Sequence, residues 1–324
     1  MRALEIAVVI PCYRVRDRVV DVIRTVGPEV SRIIVVDDEC PENSGEHVRR
    51  HCDDKRVVVL RNDTNLGVGG ATKVGYRHAL EGGADIVVKL DGDGQMRPAL
   101  IPELVRPIVE GRADYVKGNR FFNLADLTEM PWPRLLGNAG LSLVTKFSTG
   151  YWDIMDPTNG FTAIHARVLG EIPLSKVADD YFFESDLLFR LATLRAVVAD
   201  MPMVARYSGG PSSLSIPRVL LRFPARHARN LVKRLFYCYF LRDFNAGTFL
   251  ILAGMSLAAG GGAFGGYQWW KSIASGVPAS SGTVMAAALP VMLGGHLLLS
   301  AINFDIANVP RRCIHFVLGP RTAR

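Results

Sequence analysis

The chain has 324 residues, 49% of them hydrophobic, and its Lys and Arg residues outnumber Asp and Glu by 38 to 31. This hydrophobic content excludes a disordered chain, and the length allows about two domains. The charge is uneven, since residues 1–213 carry 26 basic and 29 acidic side chains, whereas residues 214–324 carry 12 basic and 2 acidic. A nucleic-acid-binding protein carries its basic patch on the folded domain that reads the nucleic acid, so we expect no nucleic-acid partner.

The cysteine pattern and the first residues bear on the compartment. Five scattered cysteines without a CxxC pair argue against a disulfide framework and against a zinc site. The segment MRALEIAVVIPCY contains an apolar run that is too short for a signal-peptide core and that ends in Pro. We therefore expect the N-terminal part of the chain to stay in the cytosol.

The first part of the chain alternates short β-branched runs with helical patterns. The pattern predicts strands over 6–10, 33–36, 57–60 and 86–90, and helices over 14–26, 44–51, 70–80 and 98–110. Such alternation is typical of βα units around a mostly parallel sheet. Ligands of these sheets bind beyond the carboxyl ends of the strands, which here are residues 11–13, 37–39 and 91–95.

The fourth predicted strand ends in the segment LDGDGQM, which places carboxylates at Asp91 and Asp93. Two carboxylates at one sheet edge, joined by a glycine that allows a tight turn, suit Mg²⁺ or Mn²⁺ bridging phosphates. Gln95 would add a third oxygen ligand. An EF-hand loop from Asp91 is excluded, because its sixth position would be Met96 instead of Gly and its twelfth Pro102 instead of Glu. An acidic turn without a metal is the structural alternative.

The segment NLGVGGATKVGYRHAL contains glycines before a predicted helix, as dinucleotide-binding loops do. The spacing excludes that class, because the third Gly of a GxGxxG pattern would fall on Thr72. The segment also follows a later strand than the first. We expect Gly67, Gly69 and Gly70 to allow a close approach of the backbone to a strand or to a ligand.

The C-terminal part contains two uncharged stretches, residues 244–270 and 272–304, which only Lys271 separates. Stretches of 27 and 33 uncharged residues are long enough to cross a bilayer as helices. Two buried core helices are the alternative, although uncharged stretches of this length are more typical of bilayers. The first stretch has five glycines that suit helix pairing or homo-oligomers in lipid, at Gly260, Gly261, Gly262, Gly265 and Gly266.

Basic residues flank the two stretches. Before the first lie Arg218, Arg222, Arg226, Arg229, Lys233, Arg234 and Arg242, and after the second lie Arg311, Arg312, Arg321 and Arg324. The positive-inside rule therefore predicts that both termini are cytoplasmic and that the connecting loop, with Lys271, is outside. Residues 214–243 mix these cations with Leu and aromatic residues, which is typical of amphipathic helices on an anionic leaflet. We assign no active-site role to His296, Asn303 or Asp305 of the second stretch.

Seven segments occur in order between residues 6 and 191, namely VVIPCY, VVDDEC, NLGVGGATKVGYRHAL, LDGDGQM, KGNRF, DPTNGFTAI and FFESDLLFRL. Together they resemble the family 2 glycosyltransferases of GT-A fold, within which they are similar to the dolichol-phosphate mannose synthases and polyprenyl-phosphate glycosyltransferases. The resemblance implies an α/β fold with a Rossmann-like nucleotide-sugar-binding domain, followed by interfacial helices and two transmembrane helices. We place the cytoplasmic catalytic domain at 1–213, the interfacial helices at 214–243, the transmembrane helices at 244–310 and a basic tail at 311–324.

The resemblance also implies the residues of the active site. The nucleotide-sugar would bind at Pro11, Tyr13, Asp37, Asp38 and Asp91, and the metal at Asp91, Asp93 and Gln95. The acceptor phosphate would bind at Arg120, Arg134 and Arg206. The catalytic residues would be Asp93, Asp186 and Arg120. Structural roles remain the alternative for several of these residues, and Asp186 has Arg190 at helical i,i+4 spacing.

Two positions depart from the family pattern. Relatives usually have Asn-Glu after the Tyr, whereas Arg14 and Val15 stand here, which removes one donor contact. Relatives often have Ser-Lys-Leu where this chain has Ser212, Ser213 and Leu214, so the acceptor-phosphate site lacks one Lys.

The implied reaction is inverting transfer of a sugar from a UDP- or GDP-linked donor to undecaprenyl or dolichyl phosphate. It would take place at the cytoplasmic face of the inner membrane, with Mg²⁺ or Mn²⁺, in cell-envelope glycan synthesis. Two alternatives stay open. One is a transferase that acts on another membrane acceptor, such as a glycolipid or a polysaccharide, and the other is a catalytically silent membrane scaffold or nucleotide-sugar sensor.

Overall fold

The computed structural model of the chain describes residues 4–122, 132–204 and 216–319, with the backbone alone at 132–135 and 216–222. The strands are β1 (Ile6–Cys12), β2 (Arg32–Asp37), β3 (Val57–Arg61), β4 (Ile86–Lys89), β5 (Tyr115–Asn119), β6 (Thr162–His165) and β7 (Val198–Pro202). The helices are α1 (Arg16–Arg24), α2 (Ser44–His51), α3 (Gly67–Glu81), α4 (Ile101–Val109), α5 (Trp132–Thr149), α6 (Ala166–Glu171), α7 (Phe183–Leu194), α8 (Ile216–Phe236), α9 (Ala246–Ser275) and α10 (Ser281–Ala307).

The chain divides into two compact units. The first comprises the residues up to Leu231 together with those from Pro310 onward, and the second comprises Val232–Val309. The first unit contains the whole sheet, and the second contains the two long apolar helices. The domain boundaries expected from the sequence stay a prediction.

The seven strands form one sheet in the order β3-β2-β1-β4-β6-β5-β7. All neighbours pair in parallel except β6, which is antiparallel to both β4 and β5. The mostly parallel sheet expected from the sequence is thereby confirmed. Because β1 lies between β2 and β4 in parallel register, Cys12 pairs with Asp37 and Val9 with Lys89. The carboxyl ends of three strands therefore meet at one edge.

The strands of the sheet are rich in apolar residues, and helices pack over these residues and bury them. Every residue of β1 is buried, which is typical of a parallel strand covered on both faces. Helix α1 packs Val19, Val20, Val22 and Ile23 inward, at the spacing of one helical face. The sequence pattern of continuous β-branched runs and amphipathic helices thus leads directly to a layered α/β unit.

Helix α3 begins at Gly67, three residues before the start predicted from the sequence. The earlier start has a structural reason, because the carbonyl oxygen of Asp179 accepts the free N–H groups of Gly69 and Gly70 at 2.8 and 3.0 Å. Glycine is also needed for space, since a Cβ at Gly75 would lie 2.3 Å from Cγ1 of Val9 in β1. The expected close approach of this segment to a strand is present.

The second unit contains α9 and α10, helices of 30 and 27 residues that are long and apolar enough to cross a membrane. A Cβ at Gly254 would lie 2.9 Å from Cγ of Leu298, and one at Gly261 would lie 2.9 Å from the carbonyl oxygen of Ala287. These glycines therefore serve helix pairing within the chain. The expectation that Lys271 lies in the connecting loop is wrong, because α9 continues to Ser275 and ends before Gly276, whose φ of +67° suits a helix C-terminus.

Residues 311–319 pack against the sheet-containing part of the first unit, which the sequence pattern did not predict. Asp114 accepts the backbone N–H groups of Ile314 and His315, each at 3.0 Å, and that of Val197 at 2.8 Å. The ring Nδ1 of His315 lies 2.6 Å from the same carboxylate, and the thiol of Cys313 donates to a backbone carbonyl oxygen. Although these side chains include three metal-ligating types, the donors around Asp114 assign its carboxylate to holding the segment.

Candidate active site

The strand ends that the sequence singled out lie side by side. The thiol of Cys12 lies where the three strand ends meet. Burial raises its pKa, and the negative charges of Asp37 and Asp91, which lie at the carboxyl ends of the neighbouring strands, raise it further. A Cβ at Gly92 would lie 3.5 Å from the same sulfur atom. The ends of β1, β2 and β4 therefore form one polar edge, where ligands of parallel α/β sheets bind.

Asp37 supports the turn after β2. It is 4% exposed, and its two oxygens accept the backbone N–H groups of Cys40 at 2.8 Å and Gly45 at 2.6 Å. The second bond reaches the first turn of α2, where a carboxylate is favoured by the helix dipole. The side chain fixes the turn, and its contact with the nucleotide-sugar stays a prediction.

Asp38 joins the strand end to the glycine segment. Its Oδ1 accepts from Nδ2 of Asn62 at 2.7 Å and from the N–H of Leu66 at 2.9 Å. Its Oδ2 accepts from the N–H of Gly67 at 2.8 Å. Asp38 is 3% exposed and so positions the N-terminus of α3. Its contact with a base or a ribose stays a prediction.

Pro11 and Tyr13 lie at the end of β1. Pro11 is buried in the strand, whereas the ring of Tyr13 is 44% exposed. The Arg14 guanidinium lies 5.4 Å from the centre of that ring, and Arg14 has a φ of +57°, a left-handed conformation that few side chains favour. The exposed aromatic face is available to stack on a planar group such as a nucleobase.

The donor set of Asp91, Asp93 and Gln95 fits a hard divalent cation. Burial raises the pKa of Asp93, and the neighbouring negative charge of Asp91 adds to the rise while the Gln95 N–H opposes it. Two carboxylates that repel each other at a half-buried turn are stabilised when a cation binds between them. The turn is also held by α1, since Nη1 of Arg18 donates to the carbonyl oxygen of Asp93 at 3.1 Å.

A buried ion-pair network behind Asp91 was not anticipated from the sequence. Lys89 is 1% exposed, and its Nζ lies 2.7 Å from Oδ1 of Asp91 and 3.2 Å from Oε1 of Glu184. Burial lowers the pKa of Lys89, but the two carboxylates outweigh it, so that the pKa is raised. The signal in the sequence was a Lys inside the apolar run VVKL, which is costly unless the charge is paired.

A second lysine lies in the neighbouring part of the sheet. Lys117 of β5 is fully buried, and its Nζ donates to the carbonyl oxygen of Asn159. Burial lowers its pKa to about 8, against the opposing effect of Glu184 and Asp156. Glu184 therefore forms an ion pair with Lys89 and favours the charged form of Lys117.

Arg120 follows β5 and is held by Asp156. Its Nε and Nη2 lie 2.7 and 2.9 Å from the two carboxylate oxygens, and its backbone N–H donates to Oδ2 at 3.2 Å. Asp156 has no exposed surface, while the Arg120 side chain is 24% exposed. The two-point contact fixes the plane of the guanidinium. The side chain of Arg134 and all of Arg206 lie outside the described residues.

Asp186 lies in α7 and is 6% exposed. Its carboxylate accepts from the N–H of Ala178 at 3.1 Å and from Nδ2 of Asn230 at 3.2 Å. The anticipated i,i+4 contact with Arg190 is present at 3.7 Å. In this arrangement Asp186 connects α7 with α8 and with the preceding loop, and its catalytic role stays a prediction. Glu184 is the acidic residue of α7 that pairs with Lys89.

Residues 7–172 match the family model described as glycosyl transferase family 2. The chain belongs to glycosyl transferase family 2. A UDP-N-acetylglucosamine–dolichyl-phosphate N-acetylglucosaminyltransferase of Methanococcus voltae is 28% identical over 63% of this chain and 86% of that protein. An undecaprenyl-phosphate mannosyltransferase of Micrococcus luteus is 32% identical over 56% of this chain and 74% of that protein. The family 2 chain is thus a glycosyltransferase whose relatives include polyprenyl-phosphate sugar transferases.

Two solved structures share the fold. A mannosyl-3-phosphoglycerate synthase from Rubrobacter xylanophilus has a TM-score of 0.54 at 19% identity, over 75% of this chain and 77% of that chain. A glucosyl-3-phosphoglycerate synthase from Mycobacterium tuberculosis, in complex with Mn²⁺, UDP-glucose and phosphoglyceric acid, has a TM-score of 0.52 at 20% identity. This match covers 71% of the family 2 chain and 79% of the synthase chain. The GT-A fold is confirmed.

Proposed function

We propose that this family 2 glycosyltransferase transfers a sugar from a nucleotide-sugar to a polyprenyl phosphate, with inversion at the anomeric carbon. The observation that carries the proposal is the carboxylate pair Asp91 and Asp93 at the end of a central strand, beside the buried Lys89. The pair stands in a chain whose relatives are named as sugar transferases to dolichyl or undecaprenyl phosphate.

The donor would lie along the polar edge. The exposed ring of Tyr13 offers a face for the base, and Asp38 fixes the loop that begins α3. Asp91, Asp93 and Gln95 would hold Mg²⁺ or Mn²⁺ at the diphosphate. When bound, the cation neutralises the negative charge that develops on the leaving nucleoside diphosphate. A neighbour of the same fold is described with Mn²⁺ and UDP-glucose, which supports a divalent cation and a UDP-linked donor.

The acceptor phosphate would lie near Arg120, whose guanidinium plane Asp156 fixes. Arg134 and Arg206 would add charge. An oxygen of the acceptor phosphate attacks the anomeric carbon while the bond from that carbon to the donor diphosphate breaks on the opposite face. Because a phosphate monoester is largely dianionic at neutral pH, the attack needs no strong general base. The chain's task is to orient two anions and to offset their repulsion.

The proposed acceptor is a lipid, and two apolar helices of this chain would hold the enzyme in the membrane that contains it. Helices α9 and α10 would span the inner membrane, and the basic residues on either side of them support a cytoplasmic location of the catalytic unit and of both termini. The donor is soluble and the acceptor phosphate lies at the headgroup level. A reaction at the cytoplasmic face therefore needs no transport of either substrate.

The experiment is turnover by the full-length protein in detergent, with polyprenyl phosphate, Mn²⁺ or Mg²⁺ and a panel of UDP- and GDP-sugars. We expect a labelled lipid product and release of nucleoside diphosphate that both require the lipid, the metal and Asp93. The Asp93→Asn variant tests the site, and Asp21→Asn, an exposed carboxylate of α1, is the matched control. Metal-dependent nucleotide binding without lipid product would point to another acceptor, and absence of binding to a scaffold.

A further inference from the structure

Helix α5 (Trp132–Thr149) buries polar side chains on the face that packs against the rest of the first unit. Thr145, Ser148 and Thr149 are at most 2% exposed. Their hydroxyls donate to backbone carbonyl oxygens of the preceding turn, at 2.7 to 3.1 Å. Oγ of Ser148 also lies 2.8 Å from Nδ1 of His227, a buried residue of α8. The buried face of α5 therefore carries hydroxyl groups, and that of Ser148 connects α5 with α8.

The opposite face of α5 is apolar and exposed. Leu136, Leu143 and Val144 are 63%, 53% and 42% exposed, and with Gly140 they follow the i, i+4, i+7, i+8 spacing of one helix face. A Cβ at Gly137 or Gly140 would meet nothing within 4 Å. Residues 135–145 include no charged side chain. We call this surface, formed by Leu136, Gly140, Leu143 and Val144, the outward face of α5.

The orientation is the reverse of that found on a helix at a protein–water surface, where apolar side chains face the core. Exposed contiguous apolar surface marks a site that another apolar phase or molecule covers. The neighbouring charges point to a lipid bilayer as the covering phase, because Arg134 and Lys146 lie at the two ends of the uncharged stretch 135–145. An apolar helix face with cations at its margins is typical of helices that lie on an anionic lipid surface.

The position of α5 in the fold points the same way. Through Ser148 and His227 it packs on α8, the basic helix after which the chain enters α9 and α10. The first turn of α5 includes Arg134, which the sequence places at the acceptor phosphate. A helix that lies at the headgroup level would hold this residue at the depth of a lipid phosphate.

We propose that the outward face of α5 inserts into the lipid bilayer, with Leu136, Leu143 and Val144 at the boundary between headgroups and acyl chains. The occupant is lipid hydrocarbon. The inference rests on the membrane location within the proposed function, but not on the transfer reaction.

The test is site-directed fluorescence of the full-length protein in nanodiscs of phosphatidylcholine and phosphatidylglycerol. The half-buried Cys52 and Cys238 are replaced by Ser, and single cysteines are introduced by Leu143→Cys, Met255→Cys or Arg77→Cys. Met255 is an exposed residue of α9, and Arg77 is an exposed residue of α3. An environment-sensitive label on each cysteine is exposed to spin-labelled lipids, which quench from within the bilayer, and to iodide, which quenches from water.

We expect the label at position 143 to be quenched by lipids spin-labelled near the headgroup and to be protected from iodide, whereas the label at position 77 shows the reverse. The label at 255 should be quenched by lipids spin-labelled deep in the acyl chain. Quenching at 143 that equals that at 77 overturns the inference while leaving the membrane location intact. Disulfide-linked dimers through position 143 would assign the face to a second copy instead. Loss of lipid quenching at 255 would refute both the membrane location and the inference.

Discussion

The most direct test of the site concerns Lys89, which we expect to be needed for the stability of the catalytic unit. The Lys89→Met change keeps the length and the apolar stem of the side chain but removes its charge. Oδ1 of Asp91 at 2.7 Å and Oε1 of Glu184 at 3.2 Å then lose their cation. Glu184 is 7% exposed, so water replaces little of the lost interaction.

The magnitude follows from the burial of the three groups. Removing one partner of a buried ion pair costs about 3–5 kcal/mol. Because the Asp91 side chain is 30% exposed and retains some hydration, we take the lower value, about 3 kcal/mol. For a unit of this size, 1 kcal/mol lowers Tm by about 2–4 °C, so the expected loss is about 6–12 °C.

The assay is thermal unfolding of the detergent-purified protein, with a double-mutant cycle that separates charge from packing. In Lys89→Met/Glu184→Gln the uncompensated carboxylate becomes a neutral amide, and we expect this double variant to recover about half of the lost Tm. Two results would refute the reasoning. One is a Tm of Lys89→Met within about 2 °C of the unchanged protein, and the other is a double variant that is no more stable than Lys89→Met alone.

Three further predictions use the same measurement of Tm, and the first also uses the KM for the lipid. Asp156→Asn removes the anion that fixes Arg120, and we expect the free energy of unfolding to fall by about 3 kcal/mol. We also expect the KM for the lipid phosphate to rise at least about tenfold. An unchanged KM for the lipid would contradict the role of Arg120. Burial lowers the pKa of His227 to about 4. Below pH 6.5 the unfolded chain therefore binds a proton that the folded protein does not, and the free energy of unfolding decreases as the pH is lowered. Between pH 7 and 5 the loss is about 2 kcal/mol, and His227→Gln should lose less over this range; equal losses of Tm would argue against it. Gly75→Ala places a Cβ 2.3 Å from a β1 side chain and should cost about 1–3 kcal/mol, whereas Gly137→Ala, in open space, should leave Tm unchanged or slightly raised.

Much of the fold could be predicted because local pattern and global structure agree. The predicted range of α2, 44–51, is the observed one, since a polar segment with one apolar face lies between two β-branched runs. The start of α3 was missed, because its first N–H groups bond to Asp38 and Asp179, which lie 29 and about 110 residues away in the chain. Contacts of that separation leave no trace in local periodicity.

The site was predicted in part, and the missing part has a physical reason. Motifs at strand ends located Asp91 and Asp93, because parallel topology brings strand ends together. The sequence pattern predicts only that Lys89 lies in a strand, and its partner Glu184 lies 95 positions later, so only the fold shows that the two charges meet. The same holds for Arg120, whose partner Asp156 has no motif of its own beyond its place in DPTNGF.

The structure also separates the two acidic motifs by what their oxygens already do. Asp37 and Asp38 together accept five hydrogen bonds from N–H groups of the following loops, and both carboxylates are at most 4% exposed. Asp91 is paired with Lys89 through Oδ1, whereas Asp93 lies at a half-buried turn where burial, together with the charge of Asp91, raises its pKa. A carboxylate whose oxygens already accept several N–H groups gains little from a cation, whereas a carboxylate such as Asp93, whose charge is disfavoured by burial and by an acidic neighbour, gains more. We therefore infer that VVDDEC shapes the nucleotide site and that LDGDGQM holds the charge of the diphosphate.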